Sequence, residues 1–342
     1  EWEIKHTDCP QSEIERELEK KLFEEIFVER KIEFRKNRQP FTINRKVDGQ
    51  LVGKENGEVS LNVITPLNED AGEPDRITMK SAGNNRDMLI CLEPDDTVIK
   101  DLKKTIQTAR YTQNNLHNTE NPNVKRIISE KYDINQQRDQ KIRDRLKELL
   151  NNADIYIAGN RVKVQGSTPA ERITEAFQQL VRTVFTNHAM IGQHNFTEQA
   201  TRELLTRTPL NLPAIPEAES EVNYYIKRQQ KAGMKVTFKN VIDHFEKIPY
   251  GWPLSAITYL VALLYKKGKI EIKTDSNSLE NGEVLETLQN SRAYANTILR
   301  IEEEITGKEL SNLKTFYKEY FSNHPKANEG KKIAIEIKDD LV

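Results

Sequence analysis

Leu254-Ser255-Ala256-Ile257-Thr258-Tyr259-Leu260-Val261-Ala262-Leu263-Leu264-Tyr265 runs into Lys266-Lys267-Gly268 and then Lys269-Ile270-Glu271-Ile272-Lys273. An uncharged apolar run, a glycine, and a stretch alternating charge with isoleucine predict a buried helix, a stop and a half-buried strand. Upstream, Glu217 to Ala232 and Thr237 to Lys247 carry helical spacing, and Pro209, Pro213 and Pro216 punctuate an extended linker. Helix, helix, helix and strand with a turn-rich return is the winged-helix order. Downstream, a helix is expected over Lys308 to Tyr320 and a terminal strand over Ile333 to Ile337.

The N-terminal half reads differently. Ile14, Leu18, Leu22, Ile26 and Phe27 lie on one stripe, so Ser12 to Arg38 is expected to be one helix, capped by Ser12 and stopped by Pro40. Phe41-Thr42-Ile43 and Val59 to Ile64 then alternate apolar and polar, and Met88 to Leu92 is a continuous apolar strand. Asp48-Gly49 and Asn56-Gly57 are turn pairs, because glycine accepts positive φ without steric cost. Leu67 to Asn85 reads as a polar loop with a short strand near Ile77.

Two long helices are expected over Asp96 to Leu116 and Asn123 to Asn151. The second has a wholly polar middle, Asn135 to Lys141, which suggests a projecting hairpin arm. Ile155-Tyr156-Ile157 and Val162-Lys163-Val164 flank a turn. Thr168-Pro169-Ala170-Glu171 opens a helix to about Asn187 with a capping box, and Thr197 to Thr206 is a further short helix.

The expected fold is α+β and helix-rich: a small mixed sheet with long helices, followed by a winged-helix-like domain. The divisions fall at 1–93 (N-terminal helix and small sheet), 94–195 (long helical hairpin, β-hairpin and helix), 196–216 (linker with a short helix), 217–290 (winged-helix-like) and 291–342 (helix and strand, truncated).

Composition excludes several classes. The 342 residues include 52 basic and 53 acidic side chains, so no whole-chain attraction to a polyanion arises. Apolar residues make up 36% and charged ones 31%, a balance that favours long solvated helices over one large core. Two cysteines, Cys9 and Cys91, argue for a reducing compartment, hence a cytoplasmic location, and against a secreted disulfide scaffold. The longest apolar run, Leu254 to Tyr265, is shorter than the roughly 18 to 20 residues of a membrane span. The start at Glu1 without Met and the end at Val342 read as cut ends of a longer protein.

The motifs that could carry chemistry are incomplete. Gly49-Gln50-Leu51-Val52-Gly53-Lys54-Glu55 is one residue short of a phosphate-binding loop, and Glu55 stands where a magnesium-binding hydroxyl belongs, so a hairpin turn is expected. His188 and His194 are spaced wrongly for a helical metal pair. Glu271-Ile272-Lys273 and Glu336-Ile337-Lys338 fit the Glu-x-Lys fragment of metal-dependent nucleases, but any amphipathic strand shows that alternation. No catalytic, cofactor-binding or metal site is expected.

Lys266, Lys267, Lys269 and Lys273, around the expected wing, are the candidate nucleic-acid contacts. Duplex reading normally places Arg, Lys, Asn or Gln on the third helix, and Leu254 to Tyr265 has none of them. That favours a protein-contact module over a sequence reader.

Four segments together resemble a known family. They are Val47-Asp48-Gly49 with Val59 to Pro66; Leu92-Glu93-Pro94-Asp95-Asp96 with Asp101-Leu102 and Thr108-Ala109-Arg110-Tyr111; Arg145 to Gly159 leading into Arg161-Val162; and Pro249-Tyr250-Gly251-Trp252-Pro253 with Leu260 to Ile270. In this order they resemble the region downstream of the ATPase module in the large P-loop protein of BREX (bacteriophage exclusion) systems, the BrxC or PglY family. The resemblance implies a role in phage defence, with other defence proteins as partners, and carries over no catalytic residue. The expected function is a non-catalytic interaction or scaffold region. The alternatives are a DNA-binding winged helix and, behind it, a nuclease on Glu271 and Lys273.

Overall fold

The computed structural model describes residues 2–116, 118–206, 212–274, 277–279, 281–302, 307–327 and 330–340. Pro209, in the expected linker, lies outside them. The chain forms two compact units, Glu1–Ala189 with Lys247–Gly251, and Met190–Glu246 with Trp252–Val342.

In the first unit α1 (Trp2–Lys5) and α2 (Gln11–Lys20) lead into a π-helical turn, Lys21–Ile26. Strands β1 (Lys31–Phe34), β2 (Gln39–Val47), β3 (Gln50–Leu51) and β4 (Val59–Ile64) follow, then α3 (Pro74–Gly83) and β5 (Asp87–Cys91). The long helices α4 (Asp96–Leu116) and α5 (Pro122–Asn152) precede β6 (Asp154–Ile157), β7 (Asn160–Val162) and α6 (Pro169–Val184).

The strands form one sheet in the order β1-β2-β4-β5-β6-β7, with β3 added to β2. The central pairs β2–β4 and β4–β5 are parallel and the outer pairs antiparallel. Because side chains alternate across a strand, one face carries Phe41, Ile43, Val59, Leu61, Met88 and Ile155 into the main core, which Leu18, Leu146 and Phe177 of the helices complete. On the opposite face Ile64, Leu89 and Tyr156 pack with Ile77 of α3.

Several elements differ from the sequence reading. The helix expected over Ser12 to Arg38 keeps its stripe through Leu22, but the π turn ends it, with the Phe27 N–H bonded to the Leu22 carbonyl at 2.9 Å. Lys31–Phe34 is a strand pairing with β2, because Ile32 and Phe34 are buried while Lys31 and Glu33 face out. That short period of two is hidden behind the preceding helical stripe.

Around Ile77 there is a helix, not a strand. Parallel strands need a crossover, Pro74 occupies its first turn, and Ile77 and Ser81 bury one face. The polar middle of α5 does not leave α4: Asn135 is buried, donates to the Thr105 carbonyl at 3.0 Å and accepts from Arg138 at 2.7 Å. The sheet also runs across position 93/94, since β5 pairs with β6. At α6, Thr168 caps as expected, but the Glu171 carboxylate reaches the N–H of Ser167 instead of Thr168.

Lys21 opens the π turn almost completely buried. Its ammonium lies 2.5 Å from Asp139 and 3.3 Å from Glu17, and Arg143 lies 2.8 Å from Asp139 and 3.2 Å from Glu25. This ion group ties the π turn to α5. At the β1 edge, the buried Gln178 of α6 accepts from the Arg35 N–H at 2.8 Å and donates to the Glu33 carbonyl at 2.9 Å, filling two backbone hydrogen-bond sites at the end of the strand.

The second unit contains α7 (Glu198–Thr206), α8 (Pro216–Lys231), α9 (Phe238–Phe245), α10 (Leu254–Lys266), β8 (Ile270–Thr274), β9 (Asn277–Ser278), α11 (Asn281–Gln289) and β10 (Ile298–Ile301). Then come α12 (Gly307–Phe321) and α13 (Gly330–Asp340). The antiparallel sheet has the order β10-β8-β9, so the winged-helix sheet extends past position 290. Gly268, at φ 66°, stops α10 as expected. The terminal strand expected over Ile333 to Ile337 is helical: α13 packs with α12, burying Ile333, and Glu336 accepts from the N–H groups of Lys326 and Ala327. Alternation over five residues does not separate a strand from one face of a short helix.

Candidate functional sites

In a winged helix the third helix is the one that enters the DNA groove. Here that helix is α10, and Ala256 to Leu264 are all buried, enclosed by α7, α8, α9 and α11. Its middle is therefore withdrawn from any groove, while Leu254 and Ser255 at its N-terminal end are exposed.

Three of the four candidate lysines are occupied within the second unit. Lys266 donates to the Leu205 carbonyl at 2.6 Å. Lys267 lies 2.7 Å from the buried carboxylate of Glu219, which also caps α8 by accepting from the Ile215 N–H. Lys273 lies 3.0 Å from Glu271. Lys269 is exposed. The structure therefore does not gather the four into one free basic patch.

Glu271 also accepts from the Ser278 hydroxyl, across β8 and β9. Glu336 sits on a helix, so the second Glu-x-Lys stretch does not lie on a strand. Among the described residues no three His, Cys, Asp or Glu side chains gather as metal ligands.

The incomplete phosphate loop is the hairpin joining β2 and β3. Asp48 and Gly49 both take positive φ, and Asp48 accepts from the N–H and the hydroxyl of Thr65 at 2.8 and 2.6 Å. His188 is a core residue between Phe34 and Phe41 and hydrogen-bonds Gln39 at 2.8 Å. Burial, and after it the charge of Lys36, pushes its pKa down to about 4. Cys91 is pushed up to about 12, first by burial.

The segments behind the resemblance have structural work. Asp95 caps α4 through the N–H groups of Thr97 and Val98 and binds Arg145 of α5 at 2.8 Å. Gly251, at φ +61°, brings its backbone against Phe185, and its carbonyl accepts from Gln39.

A cleft in the first unit was not foreseen. About 680 Å³ in volume, it lies between α2 with the π turn and the β2–β4 region. Its basic lining is Arg16, Lys20, Arg30, Arg45 and Lys54. Arg45 is buried, donates to the carbonyls of Phe23, Val28 and Glu29, and leaves its Nε without a partner. Burial, then the neighbouring charge of Arg30, lowers its pKa. One signal was available: Arg45 takes an inward position between Ile43 and Val47, where alternation calls for an apolar residue.

These observations define an α+β protein whose main sheet, in one unit, has six strands in sequence with a seventh, β3, added to β2, and whose other unit is a winged helix with a largely buried third helix. Residues 7–180, about half the chain, match the BREX ATP-binding protein BrxC 4th domain with six-stranded beta sheet. Residues 197–303 match the BREX ATP-binding protein BrxC winged helix-turn-helix domain. The chain belongs to the BrxC family of BREX phage-defence proteins, and both matches are to regions other than its ATPase module. No solved structure gives a significant match. Among the described residues no helix is long and apolar enough to cross a membrane.

Proposed function

We propose that this chain is a non-catalytic interaction region of the BREX ATP-binding protein, working in the cytoplasm through contacts with other defence proteins. The observation that carries the reading is the burial of Ala256 to Leu264, which withdraws most of the helix that a winged helix uses to read DNA and leaves no Arg, Lys, Asn or Gln at its exposed N-terminal end. A winged helix without a free reading helix retains its outer helices and wing as contact surface. The occupied states of Lys266, Lys267 and Lys273 support the same reading.

The test is titration of the chain with each other protein encoded by the same BREX locus, and in parallel with duplex DNA at low salt and with magnesium ATP. Saturable binding to a defence protein is expected, with no ATP binding. Binding to none of the proteins, or magnesium-dependent ATP binding, would refute the proposal. DNA remains the second reading because Lys269 is exposed and the wing is mildly basic. A DNA shift lost on changing Lys266, Lys267, Lys269 and Lys273 together to Ala, but kept by a Lys267→Ala variant, would favour it.

A further inference from the structure

We propose that the cleft of the first unit receives an acidic peptide segment of a partner protein, a reading that rests on the interaction role above. Four observations meet there. First, the cavity of about 680 Å³ is of ligand size. Second, Arg16, Lys20, Arg30, Arg45 and Lys54 line it, and among the described residues none of them has a carboxylate within ion-pair distance. Third, of the four lining glutamates, Glu13 is held by Arg110 and Glu17 by Lys21, leaving only Glu19 and Glu24 to oppose five cations. Fourth, the buried Arg45 is met by three backbone carbonyls and the face of the Phe23 ring, with one N–H unsatisfied and no carboxylate hydrogen-bonded to it.

Glu24 and Glu29 act on Arg45 only from beyond ion-pair distance, and a buried cation without a close counter-ion is costly, with low-dielectric walls focusing its field into the opening. An incoming carboxylate relieves that cost. The apolar part of the lining, Phe23, Ile43, Val52 and Ile106, suits an aliphatic side chain beside the carboxylate. Glu19 and Glu24 oppose any anion, but they can accept from a peptide's own N–H groups, donors that a phosphodiester backbone lacks. The mixed lining thus favours peptide over nucleic acid.

The test follows the Arg Nε–H and backbone NMR signals of the whole chain. The probes are acetyl-Leu-Asp-Leu-Glu-Leu-amide, the same peptide with Lys at both acidic positions, and a ten-residue oligothymidylate. The acidic peptide is expected to shift Arg45, Arg30 and the backbone of 52–56 saturably, with the Lys peptide silent. Arg45→Ala could unfold the unit, so the double variant Arg30→Ala with Lys54→Ala is used, and it should weaken peptide binding about tenfold while leaving the spectrum elsewhere unchanged. No saturable shift, equal shifts from both peptides, or stronger binding of the oligonucleotide would overturn the proposal. A defence protein that still binds the double variant at wild-type strength would overturn the cleft assignment alone. Loss of binding to every defence protein by the wild-type chain would instead overturn the interaction reading.

Discussion

Replacing His188 with Gln should flatten the acid sensitivity of the first unit. The Gln39 amide nitrogen is committed to the Gly251 carbonyl at 2.8 Å, so its oxygen faces His188 and requires a proton on the ring Nε2. That fixes the Nε2–H tautomer of the neutral ring, and protonating Nδ1 as well would place a charge among Phe34 and Phe41, which burial disfavours. Its folded pKa of about 4 lies below the 6.5 of an exposed histidine. As pH falls below 6.5 the unfolded chain takes up a proton that the folded one refuses, so stability is lost between 6.5 and about 4 and levels off below. At 1.36 kcal/mol per pH unit the full loss is about 3 kcal/mol, of which about 2 kcal/mol is gone by pH 5. Urea titrations at pH 7.5 and 5.0, followed through the NMR signals of β4, isolate the first unit. The wild type should lose about 2 kcal/mol more than His188→Gln between the two pH values. Equal losses would show that the ring is not held neutral and would refute the reasoning.

Lys267→Ala should destabilise the second unit by about 3 kcal/mol, because it strands the buried Glu219, whereas Lys269→Ala should leave stability unchanged; urea unfolding followed by Trp252 fluorescence separates them. Lys21→Ala should cost the first unit about 3 to 5 kcal/mol, read from the β4 signals, since it leaves Glu17 and Asp139 without their buried cation. Gly251→Ala should cost about 2 kcal/mol or more, as its Cβ would stand 2.4 Å from Phe185 at a φ of +61°, and a thermal melt indistinguishable from wild type would refute that account.

What the sequence disclosed depended on how local the cause was. The helix Leu254–Lys266 and strand Ile270–Thr274 were legible because an uncharged run, one glycine and an isoleucine alternation lie side by side. The burial of its middle was legible too, from its lack of Arg, Lys, Asn and Gln before Lys266. Strand β1 was missed because its two inward residues, Ile32 and Phe34, continue a helical stripe closely enough to disguise the change of period. Helix α3 was missed because it exists to join two parallel strands, and parallel pairing is a property of the whole sheet. The fate of Lys267 depends on Glu219, 48 positions away. The cleft is assembled from α2, the π turn, the segment after it and the β2–β3 region, and of its cations only Arg45 stood out, by its inward position in a strand.

Gln178 gives the sheet a terminus made of a side chain. Its carboxamide offers one acceptor and one donor where a neighbouring strand would offer a peptide group, and it does so from a helix that cannot itself join the ladder. A strand added at Glu33 and Arg35 would first have to displace the glutamine. Such a stopper disfavours the edge-to-edge pairing by which exposed strands aggregate.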